Sequence, residues 1–361
     1  MSSSPHVYII AEAGVNHNGS VELAKKLIDV AANAGVDAVK FQTFRTEKML
    51  LHEAPKAAYQ SRTTDAAESQ FDMIRKLELN ETDHRTLYKH CRDRGIQFLS
   101  TPFDLDSLEF LLGELNLPRI KLSSGDISNA LLLLRAAQSE RPVILSTGMC
   151  TLAEIEMALG ILAFGYLKNQ EKPYCQAFQE AFSSPDGHKI LKEKVVLLHC
   201  TTEYPAPFKD VHLRAMRTME IAFNLPVGYS DHTTGIAVTI AAVALGASVI
   251  EKHFTLDRQL PGPDHGASLE PQELEAMVSA VRQVEISLGT SLKTIAPSEL
   301  KNRAAARKSL VVSSNIRKGD IFTENNLTVK RPGTGVSPIY YWDWIGKKAE
   351  KDYLQDEILK S

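Results

Sequence analysis

Two histidines at the ends of neighbouring apolar runs are the first residues here whose spacing suggests chemistry. His232 follows the run Val227–Tyr229 and His253 follows the run Ser248–Ile250, with a small aliphatic segment of helix length between them. This pattern is typical of a strand–helix–strand unit, which would place both imidazoles at the carboxyl edge of a parallel sheet. The two histidines indicate either a two-histidine metal site or two half-buried histidines, each satisfied by a carboxylate such as Asp231 or Glu251.

Two lysines inside apolar segments suggest a second kind of chemistry. Burial of an unpaired ammonium is costly, so Lys40 and Lys121 should each meet an anion. That anion is either Glu12 and Asp126, in a structural network, or the phosphate or carboxylate of a ligand. A Schiff-base lysine is a third interpretation, because a desolvated lysine can lose its proton and become nucleophilic. Donors that follow other apolar segments favour a dianionic ligand: Thr101, Ser124, Ser146 and Ser230.

Eight short apolar runs are the elements that must position these side chains. Each resembles a parallel strand and is followed by a helical segment, which predicts a closed (β/α)8 TIM barrel over residues 1–288. No glycine-rich dinucleotide fingerprint follows the first run. The predicted strands are Val7–Ala11, Asp37–Phe41, Ile96–Ser100, Arg119–Ser123, Pro142–Leu145, Val195–Leu198, Val227–Tyr229 and Ser248–Ile250.

Two segments depart from the barrel pattern. Residues 165–194 mix aromatic, charged and Pro/Gly residues, and we interpret them as a surface insertion remote from the site. Residues 289–300 resemble a linker, and residues 301–361 change to short β-branched runs with turns at Lys318–Asp320 and Arg331–Gly333, which predicts a small strand-rich domain.

Composition excludes several function classes. The 361 residues carry a formal net charge of −3 without a basic stripe, so nucleic acid is not an expected partner. Neither a signal-like amino terminus nor an apolar stretch of membrane-spanning length is found, and the four scattered cysteines lack metal-site spacing. A reducing, cytoplasmic environment is therefore expected.

Four other residues have less specific interpretations. His199 ends a strand and is expected to contribute a hydrogen-bonded side chain to the wall of the site. His17 is interpreted as a capping residue or an acid–base group. His265 is expected at the surface. Asp264, on a Gly–Pro frame over the barrel mouth, would suit sugar hydroxyls.

A set of short motifs gives the chain a family resemblance. AEAGVNHNGS, VKFQTF, STPFD, KLSSGD, LSTGM, LLHCTTEYPAPF, GYSDHT, IEKHFT and PGPDHGASLEP occur in this order in sialic acid synthases. The chain looks most similar to bacterial N-acetylneuraminate synthases and their legionaminic acid synthase relatives. SLVVSSNIRKGD and LTVKRPG resemble the family's antifreeze-like (SAF, β-clip) domain.

The resemblance implies a reaction and a set of residue roles. Phosphoenolpyruvate condenses with an N-acetylated amino sugar and water, and phosphate leaves through C–O cleavage. Glu12 would orient or deprotonate the water, beside the catalytic residues Lys40, Lys121 and Asp126. The metal ligands would be His232 and His253, with Mn²⁺ expected and Mg²⁺ or Co²⁺ as alternatives. The substrate-binding residues would be Gln42, Thr101, Ser124, Ser146, Thr202, Tyr204, Ser230, Asp264 and Arg331.

The resemblance also implies a homodimer and leaves the acceptor open. Arg331 would reach the partner subunit's barrel in a domain-swapped dimer. N-acetylneuraminate synthesis from N-acetylmannosamine is the first interpretation, and N,N'-diacetyllegionaminate synthesis from 2,4-diacetamido-2,4,6-trideoxymannose is the alternative. Asp126 stands where many relatives carry glutamate and Thr202 where some carry asparagine. Outside this family, a Schiff-base lyase acting through Lys121 and a non-catalytic carbohydrate- or ice-binding protein are the competing interpretations.

Overall fold

Eight parallel strands lie at the centre of the computed structural model, which describes residues 6–57, 60–61, 64–65, 67–168 and 171–360. They pair in the order β3-β2-β1-β8-β7-β6-β5-β4, and β3 and β4 lie beside each other, so the sheet closes into the predicted (β/α)8 barrel. The strands are β1 (Tyr8–Gly14), β2 (Ala38–Thr43), β3 (Gln97–Pro102), β4 (Ile120–Leu122), β5 (Val143–Ser146), β6 (Val195–Cys200), β7 (Val227–Asp231) and β8 (Val249–His253).

Helices follow the strands and cover the outside of the barrel. Their bounds are α1 (Val21–Ala34), α2 (Thr46–Met49), α3 (Gln70–Arg75), α4 (Glu81–Arg94), α5 (Leu105–Gly113), α6 (Ala130–Gln138), α7 (Leu152–Tyr166), α8 (Cys175–Ser183), α9 (Pro185–Lys194), α10 (Ala215–Phe223), α11 (Ala237–Ala244) and α12 (Pro271–Leu288). Local signals fix several ends: Gly35 ends α1 in the left-handed region at φ 76°, and Asn80 begins α4 with a reciprocal capping box.

The predicted insertion is an ordered pair of helices. Both α8 and α9 pack on α7, and the ring of Phe178 meets that of Phe164 edge to face at 5.3 Å. Close approach requires Gly160 in α7, because a Cβ there would lie 2.7 Å from the carbonyl oxygen of Phe178. Residues 169–170 of this segment lie outside the described part of the chain.

The chain divides into two compact units, residues 1–289 and residues 290–361. In the second unit, β9 (Ser309–Val312) pairs antiparallel with β10 (Leu327–Lys330), and two short helices, α13 (Leu300–Ala306) and α14 (Tyr341–Trp344), flank them. This unit has its own core, built from Leu310, Val312, Ile316, Phe322, Leu327, Tyr353 and Leu359. Within the described residues, neither unit contains a helix long and apolar enough to cross a membrane.

Candidate active site

A cavity of about 390 Å³ opens at the carboxyl ends of the barrel strands, and every strand or the loop just after it contributes a side chain to its wall. Parallel strands bring their carboxyl ends to one edge, which is where the sequence predicted the functional groups. Thirteen of the fifteen predicted residues line the cavity: Glu12, Lys40, Gln42, Thr101, Lys121, Ser124, Ser146, Thr202, Tyr204, Ser230, His232, His253 and Asp264.

An apolar layer lies directly beneath the polar wall. Six buried side chains from six strands pack together there, and we name them the apolar floor: Ile10, Ala38, Leu99, Ile144, Leu198 and Val249. Two residues further along the same strands, the inward side chain is polar: Glu12, Lys40, Thr101, Ser146, Cys200 and Glu251. We name these six, together with Lys121 of β4, the charged layer. The two-residue period of a strand places each pair on the same inner face.

The two predicted lysines share one carboxylate, that of Glu251. Its Oε2 lies 3.6 Å from Nζ of Lys40, and its Oε1 lies 3.6 Å from Nζ of Lys121. Lys40 also lies 2.7 Å from Oε2 of Glu12, and Lys121 donates to Oγ of Ser146 at 2.8 Å. All of these charged side chains are less than 7% exposed. The lysines therefore form a buried network around Glu251, and both of them line the cavity.

Burial and neighbouring charge set the protonation states of this network. Burial raises the pKa of Glu12 to about 7, an effect that Lys40 opposes and Glu251 reinforces. Burial would also raise the pKa of Glu251, but Lys121 and then Lys40 hold it below its usual value. Burial lowers the pKa of Lys121 more than Glu251 raises it, whereas Glu12 and Glu251 overcome burial and raise the pKa of Lys40. Glu251 is the resident anion, and Glu12 can exchange a proton near neutrality.

The two histidines lie side by side on the cavity wall. Their ring centroids are 5.6 Å apart, and the ring of Tyr204 lies 4.2 Å from that of His232. Burial lowers the pKa of His232 to about 4 and that of His253 well below its usual value, so both imidazoles are neutral. A neutral imidazole is the form that binds metal.

Hydrogen bonds fix the tautomer of His232. Its Nδ1 donates to the carbonyl oxygen of Thr201 at 2.7 Å, which leaves a lone pair on Nε2. Ser230 Oγ lies 3.3 Å from that Nε2, but it donates its single proton to Glu251 at 2.8 Å. The Nε2 lone pair therefore has no donor among the described residues, as expected of a metal ligand held by its other nitrogen.

His253 completes a partial donor set. Its buried Nδ1 has no hydrogen-bond partner in the described part of the chain, and Oδ2 of Asp264 is 3.9 Å away. The described residues contain no group of three or more His, Cys, Asp or Glu side chains arranged for a metal ion. The pair fits a divalent cation whose remaining ligands are oxygens of water and substrate.

An irregularity in β1 makes room for Glu12. The pairing of β1 with β2 shifts register between Glu12 and Gly14, and Gly14 has φ 52°. A Cβ at Gly14 would lie 3.1 Å from Oε1 of Glu12 and 3.5 Å from Cε1 of His253. Glycine thus permits the bulge and keeps the space between these two side chains clear.

Two predicted residues lie elsewhere. Asp126 is not on the cavity wall, because its carboxylate accepts from Ser123 Oγ at 3.0 Å and from Asn129 Nδ2 at 3.1 Å in the turn after β4. Arg331 is an exposed residue of the second unit.

Three of the remaining histidines have structural roles. His265 is buried, contrary to the expected surface position, because Thr255 and Asn18 hydrogen-bond its ring at 2.7 Å and 3.2 Å. His199 bonds the carbonyl oxygen of Val211, and His17 accepts from the amide of Gly19.

Glu251 is the important residue that the sequence prediction missed. The sequence pattern suggests it only as a partner for a histidine, whereas in the structure it neutralises both lysines and orients Ser230. A usable signal was present, since Glu251 lies two residues before His253 in one strand and must face the same side. Cys200 was also missed and lines the cavity from β6.

The chain is similar to known proteins over most of its length. The NeuB family matches residues 27–293, and the SAF domain matches residues 307–360. An N,N'-diacetyllegionaminic acid synthase of Campylobacter jejuni subsp. jejuni is 49% identical, with 98% of each chain covered. One of Legionella pneumophila subsp. pneumophila is 42% identical, covering 96% of this chain and 91% of its own.

A solved structure extends the comparison to three dimensions. The N-acetylneuraminic acid (sialic acid) synthetase of Leptospira borgpetersenii, crystallised with citrate, superimposes with a TM-score of 0.65. It is 34% identical, and the match covers 82% of this chain and 90% of that one.

Proposed function

The chain belongs to the NeuB family and carries a SAF domain, and from this membership we propose that it condenses phosphoenolpyruvate with an N-acetylated amino sugar and water. The products are a nine-carbon 2-keto sugar acid and phosphate. The observation that carries the proposal is the charged layer: two buried lysines and several hydroxyls face one cavity beside two neutral histidines. Such a layer suits a small, strongly anionic substrate.

As acceptor we propose 2,4-diacetamido-2,4,6-trideoxymannose, which gives N,N'-diacetyllegionaminate. This replaces N-acetylmannosamine, the first interpretation of the sequence. The two relatives named as legionaminic acid synthases share 49% and 42% of their residues with this chain, against 34% for the N-acetylneuraminic acid synthetase.

An apolar part of the cavity wall supports a deoxygenated acceptor. Five apolar side chains from the segments after β1, β2 and β3 pack together there: Val15, Phe44, Met49, Ile74 and Phe103. A 6-deoxy sugar with two acetamido groups offers three methyl groups to such a surface, whereas N-acetylmannosamine offers hydroxyls at two of those positions. Among the described lining residues, Lys40 and Lys121 are the only cations, which argues against an acceptor that carries a phosphate of its own.

The lysines and hydroxyls would bind phosphoenolpyruvate. Its phosphate and carboxylate compete with Glu251 for the donors of Lys40 and Lys121, and Thr101 and Ser146 hydrogen-bond these same lysines. Donors held in place on the cavity wall would bind both charged groups of the substrate. The enol carbon is thereby aimed at the sugar aldehyde.

His232 and His253 would hold a divalent cation, for which we propose Mn²⁺. Such an ion acts as a Lewis acid and polarises the aldehyde oxygen of the sugar. Asp264, whose pKa burial raises to about 6, would accept a hydrogen bond from a sugar hydroxyl.

Glu12 would act on the water. As C3 of phosphoenolpyruvate bonds to the aldehyde carbon, positive charge develops at C2 and a water oxygen bonds there. The water proton passes to the ionised Glu12 carboxylate, whose pKa of about 7 suits this transfer. The bond between C2 and the bridging oxygen then breaks, phosphate leaves, and the added C2 hydroxyl loses its proton to form the keto group. Of the two protons of the water, one ends on the former aldehyde oxygen, which becomes a hydroxyl, and the other on phosphate.

We further propose a domain-swapped homodimer in which Arg331 reaches the partner subunit's barrel. Apolar residues left exposed near the helix starts at the cavity end support an interface: Leu105, Leu131, Met149, Leu152 and Phe208. Mixing Arg331→Ala chains with His232→Ala chains tests this arrangement. Recovery of about half of the wild-type rate per heterodimer is expected, and no recovery after verified subunit exchange would contradict it.

Phosphate release with each acceptor tests the proposed reaction. Turnover is expected with phosphoenolpyruvate and 2,4-diacetamido-2,4,6-trideoxymannose, with a kcat/KM at least about tenfold above that for N-acetylmannosamine, because one methyl-sized difference is worth about 1–3 kcal/mol. Dialysis against EDTA should abolish it, and Mn²⁺ should restore it. A higher kcat/KM for N-acetylmannosamine would overturn the acceptor. Activity that survives EDTA and is lost on borohydride reduction with a keto acid would favour a Schiff base on Lys121 instead.

A further inference from the structure

A buried ion pair lies behind the two histidines, on the outer face of the strands that carry them. Oδ2 of Asp231 is 3.0 Å from Nζ of Lys252, and both side chains are 0% exposed. Neither residue is on the cavity wall. The pair therefore cannot touch substrates that occupy the cavity, and its role has to be sought in what it holds.

The pair joins the two strands at the end of their ladder. Asp231 and Lys252 are directly paired in the register of β7 with β8, and each immediately precedes one of the histidines. Because side chains alternate along a strand, the ion pair faces the helices while His232 and His253 face the cavity. The paired residues Asp231 and Lys252 thus set the distance between the backbones of His232 and His253, which follow them directly.

The remaining hydrogen bonds of the pair fix the turn after β7. Oδ1 of Asp231 accepts from the amide of Thr233 at 2.8 Å and from its hydroxyl at 2.7 Å, and Lys252 donates to the Thr233 carbonyl oxygen. His232 lies between Asp231 and Thr233, so its backbone is held on both sides. Oδ2 of Asp231 also accepts from Thr239 at 2.7 Å, which connects this turn to α11.

An ion pair fills this buried space at a high cost in desolvation free energy. Desolvation of two charges offsets most of their attraction, and an apolar pair of similar volume is often as stable or more so. A hydrocarbon pair, however, cannot bond the three polar atoms of Thr233. What the charged pair adds beyond hydrophobic packing is directional control of the turn.

We propose that Asp231 and Lys252 are positioning residues that set the spacing and orientation of His232 and His253, and so determine how tightly the two imidazoles bind a divalent cation. This inference rests on the metal role proposed above for the histidines. Groups that orient metal-binding imidazoles from behind typically change metal affinity by about 10- to 100-fold.

The test measures Mn²⁺ affinity directly, by calorimetry and by the electron paramagnetic resonance signal of unbound Mn²⁺. In the apolar double variant Asp231→Leu/Lys252→Met, we expect Mn²⁺ to bind about tenfold or more weakly. Phosphoenolpyruvate affinity, measured without metal, should stay within about twofold because the lysines of the charged layer are unchanged. A folded double variant with wild-type Mn²⁺ affinity would overturn the proposal.

Milder variants keep the test decisive if the double variant does not fold. Thr239→Val is nearly isosteric and removes one hydrogen bond to Asp231, so Mn²⁺ affinity should fall about threefold. Ser100→Ala is the matched control, because Ser100 bonds Thr43 on the outer face of β2 and β3, away from the histidines, and should leave Mn²⁺ affinity unchanged. Equal effects of Thr239→Val and Ser100→Ala would contradict a positioning role.

The proposed metal site can fail separately from this inference. His232→Ala removes a proposed ligand itself and should reduce Mn²⁺ binding more than any of these variants. If His232→Ala keeps wild-type Mn²⁺ affinity, the metal role is wrong. If it loses Mn²⁺ while the double variant keeps it, only the positioning role is wrong.

Discussion

The apolar floor and the charged layer lie on the same strands, two residues apart, yet they have opposite chemistry. On β2 the inner face changes from Ala38 to Lys40, and on β8 it changes from Val249 to Glu251. The floor contributes hydrophobic stabilisation, since its side chains are 4% exposed or less. The charged layer contributes little net stability, because burial of its charges offsets their attraction.

The contrast shows how the two layers depend on each other. The floor excludes water from below, and burial is the largest influence on the pKa values of Glu12, Lys121 and His253. An unsupported charge in that position would be intolerable, so the lysines need Glu251 whenever substrate is absent. Variants in the apolar floor should therefore lower the free energy of unfolding, and variants in the charged layer should weaken substrate binding. Glu251 is the exception, because both lysines rely on its charge.

The largest effect on stability is expected from Glu251→Gln. It removes the negative charge shared by Lys40 and Lys121, and loss of one partner from a buried ion pair costs about 3–5 kcal/mol. Urea unfolding at pH 7 measures this loss. Glu273→Gln is the matched control, because Glu273 pairs with Arg258 at the surface, where the expected cost is about 0–1 kcal/mol. Equal losses in the two variants would contradict the buried network.

A pair of variants on β5 separates the two layers. Ile144→Ala removes a floor side chain and should lower the free energy of unfolding by about 2–5 kcal/mol, with kcat/KM of the folded protein little changed. Ser146→Ala, two residues later, should cost less than about 1 kcal/mol of stability. It should nevertheless lower kcat/KM for phosphoenolpyruvate about tenfold, because it removes a hydrogen bond to a charged group.

Unfolding and steady-state kinetics on both β5 variants make this comparison. If Ile144→Ala lost activity without losing stability, or Ser146→Ala lost stability without losing activity, the division into floor and layer would be wrong.

A smaller, pH-dependent effect is expected from Glu12→Gln in metal-free protein. The pKa of Glu12 is raised from 4.5 to about 7, so between these values the folded state holds a proton that the unfolded chain has lost. Glu12 therefore favours folding below pH 4.5, and this contribution is lost as the pH rises through 7. Wild-type stability minus variant stability should fall across that interval by at most about 1.4 kcal/mol per pH unit. Urea unfolding from pH 4 to 8 measures the slope, and a flat or rising difference would contradict the buried, protonated carboxyl.

The smallest effect on catalysis is expected from Asp126→Ala. This carboxylate bonds Ser123 and Asn129 outside the cavity, so stability should fall by about 1 kcal/mol with kcat/KM within about twofold of wild type. Steady-state kinetics with both substrates check this prediction. A 100-fold loss of kcat/KM would instead indicate that Asp126 takes part in the reaction.

The sequence predicted the barrel well because its signals are local. The apolar runs place all eight strands, and Gly35 and Asn80 mark the helix ends at which α1 stops and α4 starts. The residues at the strand ends were found for the same reason, since a parallel barrel brings them to one edge.

Features that depend on partners distant in the chain were harder to predict. His265 looked like a loop residue, but it is buried because Asn18, 247 residues earlier, accepts its hydrogen bond. Asp126 looked like a strand-end acid, but a three-residue turn directs it to Asn129. The role of Glu251 depends on two lysines from β2 and β4. The spacing of these residues along the chain does not reveal that the lysines lie close to the Glu251 carboxylate.

Phosphoenolpyruvate binding to metal-free protein tests most directly the claim that the charged layer is the anion site. Calorimetric titration should show affinity falling about 10- to 100-fold in Lys40→Met and in Lys121→Met, because each loses a charge-assisted contact. Lys25→Met is the matched control, since Lys25 pairs with Glu22 on the exposed face of α1 and should leave binding unchanged. Wild-type affinity in folded Lys40→Met and Lys121→Met proteins would contradict the account and assign both lysines to a purely structural network.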